Sequence, residues 1–312
     1  LLGAQVENAG VIQARKGQVN LATGPRATLD FHGDGLISLA VGGSPAEASS
    51  VDSSLKGGVS NSGQIEVGEG VVAMSAQRAA KHLDSVISVG GAVIADSVSN
   101  QGGTIVLGNA EQTQVAGNLS AKGRDGGQVS VLGDQVTLAG NANVDVSGSA
   151  GKGGTALIGG SFQGKGPEQA AKATRVEKGA QLKADGGREG GKVVVWSSGN
   201  TEFAGKASAK GGTQGGVVET SGKRLSVTGD AAVDASGGAH SGLWLLDPDR
   251  VDIVEVPTGD NVNSAVIANS LANNDVRVEA RERINVNAPI VAPVVGSGKT
   301  LALIASGTVG SV

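Results

Sequence analysis

The feature that most constrains the fold is an internal repeat in the middle of the chain. Between residues 115 and 248 one pattern recurs with small changes. Its copies read VAGNLSAKGRDGGQVSVLG, LAGNANVDVSGSAGKGGTALIGG, VEKGAQLKADGGREGGKVVVWSSG, FAGKASAKGGTQGGVVETSG and the degenerate VTGDAAVDASGGAHSGLWLLDP. The second glycine of the recurring pair falls at Gly127, Gly154, Gly191 and Gly216, and Gly242 follows. Steps of 27, 37, 25 and 26 residues between these positions predict a stacked solenoid.

Each repeat predicts three short strands separated by glycine-rich turns. Val129 and Val131, Val193 and Val195, and Val217 follow a Gly-Gly pair with the period of two that marks a half-buried strand. The glycines are expected to supply positive φ angles at the corners. One such coil cannot bury its inner face alone, so the coils must stack. The predicted fold is therefore all-β, a right-handed parallel β-helix with short helical or hairpin excursions.

Composition is consistent with a slender stacked core. The chain has 53 glycines but only 7 prolines, which is too little proline for collagen, and only 2% of its residues are aromatic. It has no cysteine, so stacking rather than disulfide bonds must stabilise it. A net charge of −4 without a basic face disfavours nucleic-acid binding. No apolar run is long enough to span a bilayer.

The sequence predicts that the chain has three parts, and that in the first of them some segments depart from the β-helix. Residues 1–114 are a looser β-helix, residues 115–248 carry the regular repeats, and residues 249–312 continue the β-helix as another subtype. In the first part, Asn8, Asn61 and Asn100 each open a Val-x-Asn-like segment and are expected at equivalent corners. There asparagine would adopt the left-handed conformation and hydrogen-bond along the stack.

Several interruptions of the repeat predict local structures of other kinds. A hairpin is expected around the turn Gly33-Asp34-Gly35, followed by a polar excursion over residues 44–58. Helical spacing of apolar residues predicts a short helix over residues 76–89, and another is predicted near residues 264–271. Residues 162–175 are expected to form a surface loop with one helical turn, which accounts for the 37-residue step.

Residues that could carry chemistry are few and scattered. The three histidines, His32, His82 and His240, lie in different segments, so neither a metal site nor a catalytic base is expected from them. Enzymes with this fold place several carboxylates on adjacent coils. The comparable residues here are not expected to converge in register, and no catalytic, metal or cofactor site is predicted. They are Asp125, Asp145, Asp185 and Asp234.

Three further motifs also have ordinary structural explanations. The triplet Asn118-Leu119-Ser120 matches a glycosylation sequon, but a single triplet in an asparagine-rich chain is close to chance. Trp196 and Trp244 are interpreted as shape-filling residues at coil edges rather than platforms for sugars. The residues after Gly-Gly do not provide the paired aspartates of a calcium-binding repeat.

Several segments in this order resemble the large exoproteins of two-partner secretion systems. They are LLGA with VENAGVIQA, TLDFHGDGLISLAV, SAQRAAKHLDSVISVGG, GGQVSVLG, GGKVVVWSSGNTEFAGKASAKGG and above all SGLWLLDPDRVDIV. That family includes filamentous haemagglutinin, the high-molecular-weight adhesins and haem-utilisation exoproteins. The resemblance extends over essentially the whole chain. The family's Asn-Pro-Asn-Gly secretion motif is absent, so residues 1–114 resemble the C-terminal part of its secretion domain, and the chain is expected to be a piece of a longer protein.

The resemblance implies a β-helical shaft that is secreted or held at the bacterial cell surface. Its implied partner is an outer-membrane transporter barrel, and its implied ligands are host cells, matrix or polysaccharides. The favoured function is that of an adhesin. One alternative is a haem- or iron-acquisition exoprotein that grips a host carrier through the loop over residues 44–58 or 162–175. The other is a polysaccharide-cleaving β-helix enzyme, which would lose turnover when one aspartate is changed to alanine.

Overall fold

The computed structural model describes residues 1–31, 37–42, 57–80, 83–98, 100–292 and 298–307. Their strands are short and follow one another closely. The first ten are β1 (Leu2–Gly3), β2 (Gln5–Asn8), β3 (Val11–Arg15), β4 (Gln18–Thr23), β5 (Arg26–Phe31), β6 (Ile37–Gly42), β7 (Gly57–Asn61), β8 (Gln64–Gly68), β9 (Val71–Ala76) and β10 (Asp84–Val89). The next ten are β11 (Ala92–Ile94), β12 (Thr104–Gly108), β13 (Gln112–Val115), β14 (Asn118–Ser120), β15 (Gln128–Val131), β16 (Gln135–Leu138), β17 (Asn143–Asp145), β18 (Thr155–Ile158), β19 (Ala173–Val176) and β20 (Gln181–Lys183).

The C-terminal part adds longer strands and a helix. The strands are β21 (Lys192–Phe203), β22 (Lys206–Ser208), β23 (Val217–Val227), β24 (Ala232–Asp234), β25 (Leu243–Leu246), β26 (Arg250–Val254), β27 (Asn261–Asn263), β28 (Asp275–Ala280), β29 (Arg283–Val286) and β30 (Leu301–Ala305). The helix is α1 (Ser264–Ser270), and a 3-10 turn spans Phe162–Gly164. No helix in the described ranges has the length and apolar character needed to cross a membrane.

These strands wind into coils with three faces, and strands stack in parallel on each face. Face 1 holds the whole strands β1, β4, β9, β12, β15, β18, β25, β28 and β30, together with the first halves of β21 and β23. Face 2 holds β2, β7, β10, β13, β16, β19, the second halves of β21 and β23, β27, β26 and β29. Face 3 is the separate sheet of β3, β8, β11, β14, β17, β20, β22 and β24. The predicted parallel β-helix is confirmed.

The core consists of inward columns in which one side chain stacks on its equivalent in the next coil. On face 1 one column runs Val72, Ile105, Val129, Ala156, Val193, Val218, Trp244, Val276. On face 3 the column is Ile12, Ile65, Val93, Leu119, Val144, Leu182, Ala207, Val233. Nearly all of these side chains are buried. The narrow cross-section explains why small and branched residues predominate.

The register corrects one predicted inward residue. Val193 is fully buried, as predicted, but Val217 is only half-buried, and its neighbour Val218 occupies the inward column. The other regular copies have one polar residue between Gly-Gly and the inward position, whereas this copy has a valine there. Val217 is therefore paired with Lys192 on the outer side of the sheet.

The paired glycines serve close packing rather than positive φ angles, which corrects the prediction made for them. Gly70, Gly103, Gly127, Gly154, Gly191, Gly216 and Gly242 form one column, and none of them has a positive φ. A β-carbon on Gly191 would lie 2.1 Å from the carbonyl oxygen of Gly154. That same oxygen accepts a 2.9 Å hydrogen bond from the Lys192 N–H group. Glycine is needed because the backbones of successive coils almost touch.

Of the asparagine prediction, the hydrogen bond along the stack is confirmed for two of the three residues, and the left-handed backbone is wrong. Asn8 and Asn61 are register partners on β2 and β7, and the Asn8 side-chain amide donates to the Asn61 Oδ1 at 2.7 Å. Neither residue has a positive φ. Asn100 lies outside this column and donates instead to the Glu69 carboxylate at 3.2 Å. The amide ladder ends after two coils because Val89 is the next residue in register.

The predicted helix over residues 76–89 is wrong. The strand β10 covers Asp84–Val89, and Ser85, Ile87 and Val89 all point inward with the period of two. Its β-branched residues favour a strand once the neighbouring coils offer pairing partners. Ala79, Ala80 and Leu83, which suggested the helix, form a small separate apolar cluster with Ala4.

The remaining excursions agree with the prediction where they are described. The strands β5 and β6 form an antiparallel hairpin, whereas Gly33-Asp34-Gly35 lies outside the described residues. So do His32, His82 and residues 44–56 of the polar excursion, and Gly57 and Gly58 already belong to β7. The helix expected near residues 264–271 is α1.

The helix α1 closes face 3. Asn263 caps it by accepting the Val266 N–H at 3.0 Å, while Val266, Ile267 and Leu271 enter the core. On each earlier coil the residue after the face 3 strand donates its N–H to a carbonyl of the next coil, as Ala209 does to Asp234. After β24 this acceptor is the side-chain Oδ1 of the fully buried Asn274, at 3.0 Å from the Ala235 nitrogen.

Candidate functional site

The strongest candidate site is a polar groove at the corner where face 1 ends. We call it the Trp196 groove, and its volume is about 270 Å³. Trp196 ends the first half of β21, and the register places Ser221 on the next coil, with Asp247 following β25 on the coil after that. The residues that line it are Gln163, Trp196, Ser198, Gly222, Lys223, Asp247, Pro248, Asp249 and Arg281.

One wall of the groove is the excursion loop, which we define as residues 160–172. The loop was predicted over residues 162–175, but the strand β19 resumes at Ala173 because its residues pair with both β16 and β21. The predicted helical turn is the 3-10 turn Phe162–Gly164. Within it Gln163 (φ 54°) and Gly164 (φ 66°) are both left-handed. The Gly164 N–H bonds the Ser161 carbonyl at 2.9 Å within the loop, so that the Gln163 N–H alone is left for a partner on the sheet.

Glu219 is the group at which this turn is aimed. Its carboxylate is fully buried, and the Gln163 N–H group donates to both of its oxygens at 2.9 and 3.1 Å. Burial raises the pKa of Glu219 from 4.5 to about 7, although the hydrogen bonds from Gln163 and Ser221 act in the opposite direction. Glu219 therefore anchors the excursion loop to the outer side of face 1.

Aromatic contacts complete this anchor. A β-carbon on Gly164 would lie 2.4 Å from the Trp196 ring, so only glycine allows the loop to lie this close to the indole. The Lys192 ammonium lies 5.0 Å from the centroid of the Phe162 ring, within cation–π range. Trp196 itself is half-buried and lines the groove.

The opposite wall carries charged groups, some of which are unpaired. Asp249 pairs with Arg281 at 3.3 Å. In contrast, within the described ranges the Asp247 carboxylate and the Lys223 ammonium have no hydrogen-bond or ion-pair partner, although the Asp247 N–H donates to Ser221 Oγ at 3.1 Å. Burial, and then the nearby Glu279 carboxylate, raise the pKa of Asp247 above its ordinary value. An acceptor, a donor and an indole thus converge on one groove, and this combination suits a ligand with both hydroxyl groups and an apolar face.

Stability is expected to fall as pH rises across the range set by Glu219. The unfolded side chain loses its proton near pH 4.5 and the folded one near 7, so between these values the folded state binds more protons. The free energy of unfolding should decrease by at most about 1.4 kcal/mol per pH unit in this window. Denaturant titrations at intervals between pH 4.5 and 8 measure it.

The matched variant for this prediction is Glu219→Gln, which keeps an oxygen acceptor for the Gln163 N–H and removes the titration. Its stability should depend clearly less on pH than that of the parent chain between pH 4.5 and 7. Because Asp247 titrates with the same sign, some dependence should remain. Equal slopes for the variant and the parent would contradict the role assigned to the buried carboxylate.

The four aspartates considered from the sequence do not form one site. Asp145 and Asp234 share a face 3 column, but Lys183 and Ser208 occupy the two coils between them. Asp145 and Asp234 instead accept N–H groups in their own turns, from Ser147 and Ser236. Asp125 accepts the Lys152 N–H and Asp185 the Lys210 N–H on the neighbouring coil, both at 2.8 Å.

The other residues considered from the sequence make contacts within the coils of the β-helix. The backbone of His240 bridges to Gln214 in a corner stack. Asn118 accepts a 2.7 Å hydrogen bond from the Asn143 amide within face 3. Trp244 is not at a coil edge but fully buried in the face 1 column, where its Nε1 donates to Thr220 Oγ1 at 3.0 Å. In the described ranges no three His, Asp or Glu side chains are grouped as a metal site.

Sequence reasoning missed Glu219 and Asp247. A signal for Glu219 existed, because it is the single acid in the apolar run VVETSG that follows Gly216. Its burial could not be foreseen, since it depends on a loop inserted more than 50 residues earlier. Asp247 was part of the LWLLDPD segment, but only the stacking of coils places it beside Trp196.

Among solved structures, the chain is similar to a bacterial secretion domain. The crystal structure of the HMW1 secretion domain from Haemophilus influenzae superposes with a TM-score of 0.64 at 31% sequence identity. The match covers 79% of this chain and 61% of that chain, so the chain spans about three fifths of the length of the structure that it matches. No protein-family model and no curated protein matches the chain.

Proposed function

Because this chain belongs to the two-partner secretion exoproteins, we propose that it is part of a secreted or cell-surface adhesin and that the Trp196 groove contacts the ligand. Membership of the family implies an outer-membrane transporter as the partner in export. The observation that supports ligand binding is the unpaired Asp247 and Lys223 beside the half-buried Trp196 ring, which lines the groove. Host-cell, matrix or polysaccharide glycans fit this chemistry, since a sugar ring offers hydroxyl groups at its edge and an apolar face.

We further propose that the groove binds its ligand without cleaving it. Glu219, whose pKa near 7 would suit a general acid, is covered by the excursion loop and cannot touch a molecule in the groove while the loop is docked. The second carboxylate of the groove, Asp249, is paired with Arg281 at 3.3 Å, so Asp247 lacks the free partner carboxylate on which glycoside hydrolysis ordinarily depends. Release of reducing ends from a polysaccharide, lost in Asp247→Asn, would contradict this proposal.

A glycan and host-protein array tests the adhesin proposal. The parent chain should bind specific members, and Asp247→Asn with Lys223→Ala should weaken that binding at least tenfold. Lys210→Ala is the matched control, because its side chain pairs with Asp185 at the corner between faces 3 and 1, whereas the groove lies at the corner where face 1 ends, and it should leave binding unchanged. If the chain bound only haem-carrier proteins on the array, the result would support the haem-acquisition alternative instead.

Tryptophan fluorescence then locates the contact. The chain contains two tryptophans and no tyrosine, and Trp244 is fully buried. A bound ligand should therefore change the emission of Trp196 alone, and Trp196→Phe should abolish the change. A ligand that binds equally well to the parent and to the Asp247→Asn, Lys223→Ala variant would place the contact elsewhere.

A further inference from the structure

A second cleft lies on face 3, where α1 replaces the next strand. Its volume is about 380 Å³. Its base is formed by β20, β22 and β24, and one wall is formed by α1 and the turn that follows it. Polar groups come from Lys183, Lys206, Ser208, Asn269 and Asn273, and the apolar groups include Leu182, Ala207 and Val266. This cleft is separate from the Trp196 groove, with which it shares no residue.

Two lysines, Lys183 and Lys206, bring positive charge to the cleft. Leu182 and Ala207 point into the core, so the flanking Lys183 and Lys206 point outward. The register pairs Gln181 with Lys206 and Lys183 with Ser208. The two lysines are therefore diagonal neighbours on adjacent coils, with their Cα atoms roughly 8 Å apart.

Unlike the corner lysines Lys122, Lys152 and Lys210, these two are unpaired. Lys122 and Lys210 lie 3.6 and 3.7 Å from Asp96 and Asp185, and Lys152 lies 2.8 Å from Glu189. In the described part of the chain, Lys183 and Lys206 have neither an ion pair nor a hydrogen bond of their side chains. Two like charges on adjacent coils repel each other, and an anion between them would relieve that repulsion.

The acids nearby are not ion-paired with these two lysines. Asp234, which also lines the cleft, directs Oδ1 to the Ser236 N–H at 3.0 Å within its own turn. Asp145 on β17 is the register partner of Lys183 on β20, one coil earlier. Its Oδ1 likewise accepts the Ser147 N–H at 3.0 Å. Each is held by a local turn, and neither lies within ion-pair distance of the two lysines.

We propose that this cleft binds an acidic saccharide chain. The lysines supply the charge for its carboxylate or sulfate groups, and the side chains of Ser208, Asn269 and Asn273 offer donors and acceptors for hydroxyl groups. A nucleic acid fits less well, since the cleft has no aromatic side chain for base stacking and the chain carries a net charge of −4.

The test titrates polygalacturonate, a uronate polymer, into the chain by isothermal calorimetry. The double variant Lys183→Ala, Lys206→Ala should lower the affinity at least tenfold. The matched control is Lys122→Ala, Lys210→Ala, which removes the same charge from paired corner lysines and should change the affinity less than twofold. Both lysines of the cleft project outward from their strands, so circular dichroism should show both variants folded.

Two outcomes would overturn the proposal. An equal loss in both double variants would mean that the polymer responds only to net charge. Duplex DNA that competes for the cleft as strongly as polygalacturonate would assign it to polyanions in general.

Asn269→Asp places a negative charge on the helix wall and should weaken binding without removing a lysine. Neutral dextran should not bind. These results do not depend on the Trp196 groove, whose variants can be assayed separately.

Discussion

Val193→Asp is expected to abolish cooperative folding of the coils around β21. Val193 is fully buried between Ala156 and Val218 in the face 1 column, and no donor in the column can satisfy a carboxylate there. Burying an unpaired charge costs several kcal/mol, about 4 kcal/mol or more at a site this closely packed. Denaturant unfolding followed by circular dichroism measures the loss.

Val217→Asp is the matched control for this change. It makes the same substitution on the next coil, but at an outward position in register with Lys192. There the new carboxylate reaches water and lies opposite an ammonium group, so the free energy of unfolding should change by no more than about 1 kcal/mol. If the two variants were equally unstable, the inward and outward assignments of the strand would be wrong.

Gly191→Ala is expected to be nearly as damaging, although it adds only a methyl group. The new β-carbon would lie 2.1 Å from the Gly154 oxygen and 2.5 Å from the Gly153 carbonyl carbon, both of them backbone atoms that cannot rotate away. Two coils would have to separate at a point where a 2.9 Å hydrogen bond joins them. Overpacking of this kind should cost about 3 kcal/mol.

Gly90→Ala separates this steric effect from the general cost of replacing glycine. Gly90 also lies at a corner and has no positive φ, but a β-carbon there meets nothing within 4 Å. Its stability should stay within about 1 kcal/mol of the parent chain or increase slightly, because alanine restricts the unfolded chain. Thermal unfolding of the two variants side by side would show whether close approach is the reason for the glycine column.

Much of the fold could be predicted because the chain repeats itself. Val129, Val131, Val193 and Val195 keep one spacing from a Gly-Gly pair, and the structure places all four inward. The prediction failed where a copy departs from that spacing, as at Val217. It also failed where a helical pattern arose by coincidence, since the apolar residues of segment 76–89 belong partly to a strand and partly to a separate cluster.

The candidate site could not be predicted because its residues come together only through stacking. Gln163, Trp196 and Asp247 lie far apart in sequence, and the register of three coils and one inserted loop determines their proximity. The lysine cleft is similar. Lys183 and Lys206 lie on β20 and β22, and only the register of these two strands makes them neighbours.

The carboxamide of Asn274 has a consequence for self-association. The free edge of a β-sheet offers unpaired N–H and C=O groups and is a template on which chains aggregate. After β24 face 3 would present such an edge, but Asn274 takes the hydrogen bond of Ala235 and α1 packs against the strand. The solenoid can thus lose one of its three sheets partway along its length without leaving that sheet open to edge-to-edge pairing with a second molecule.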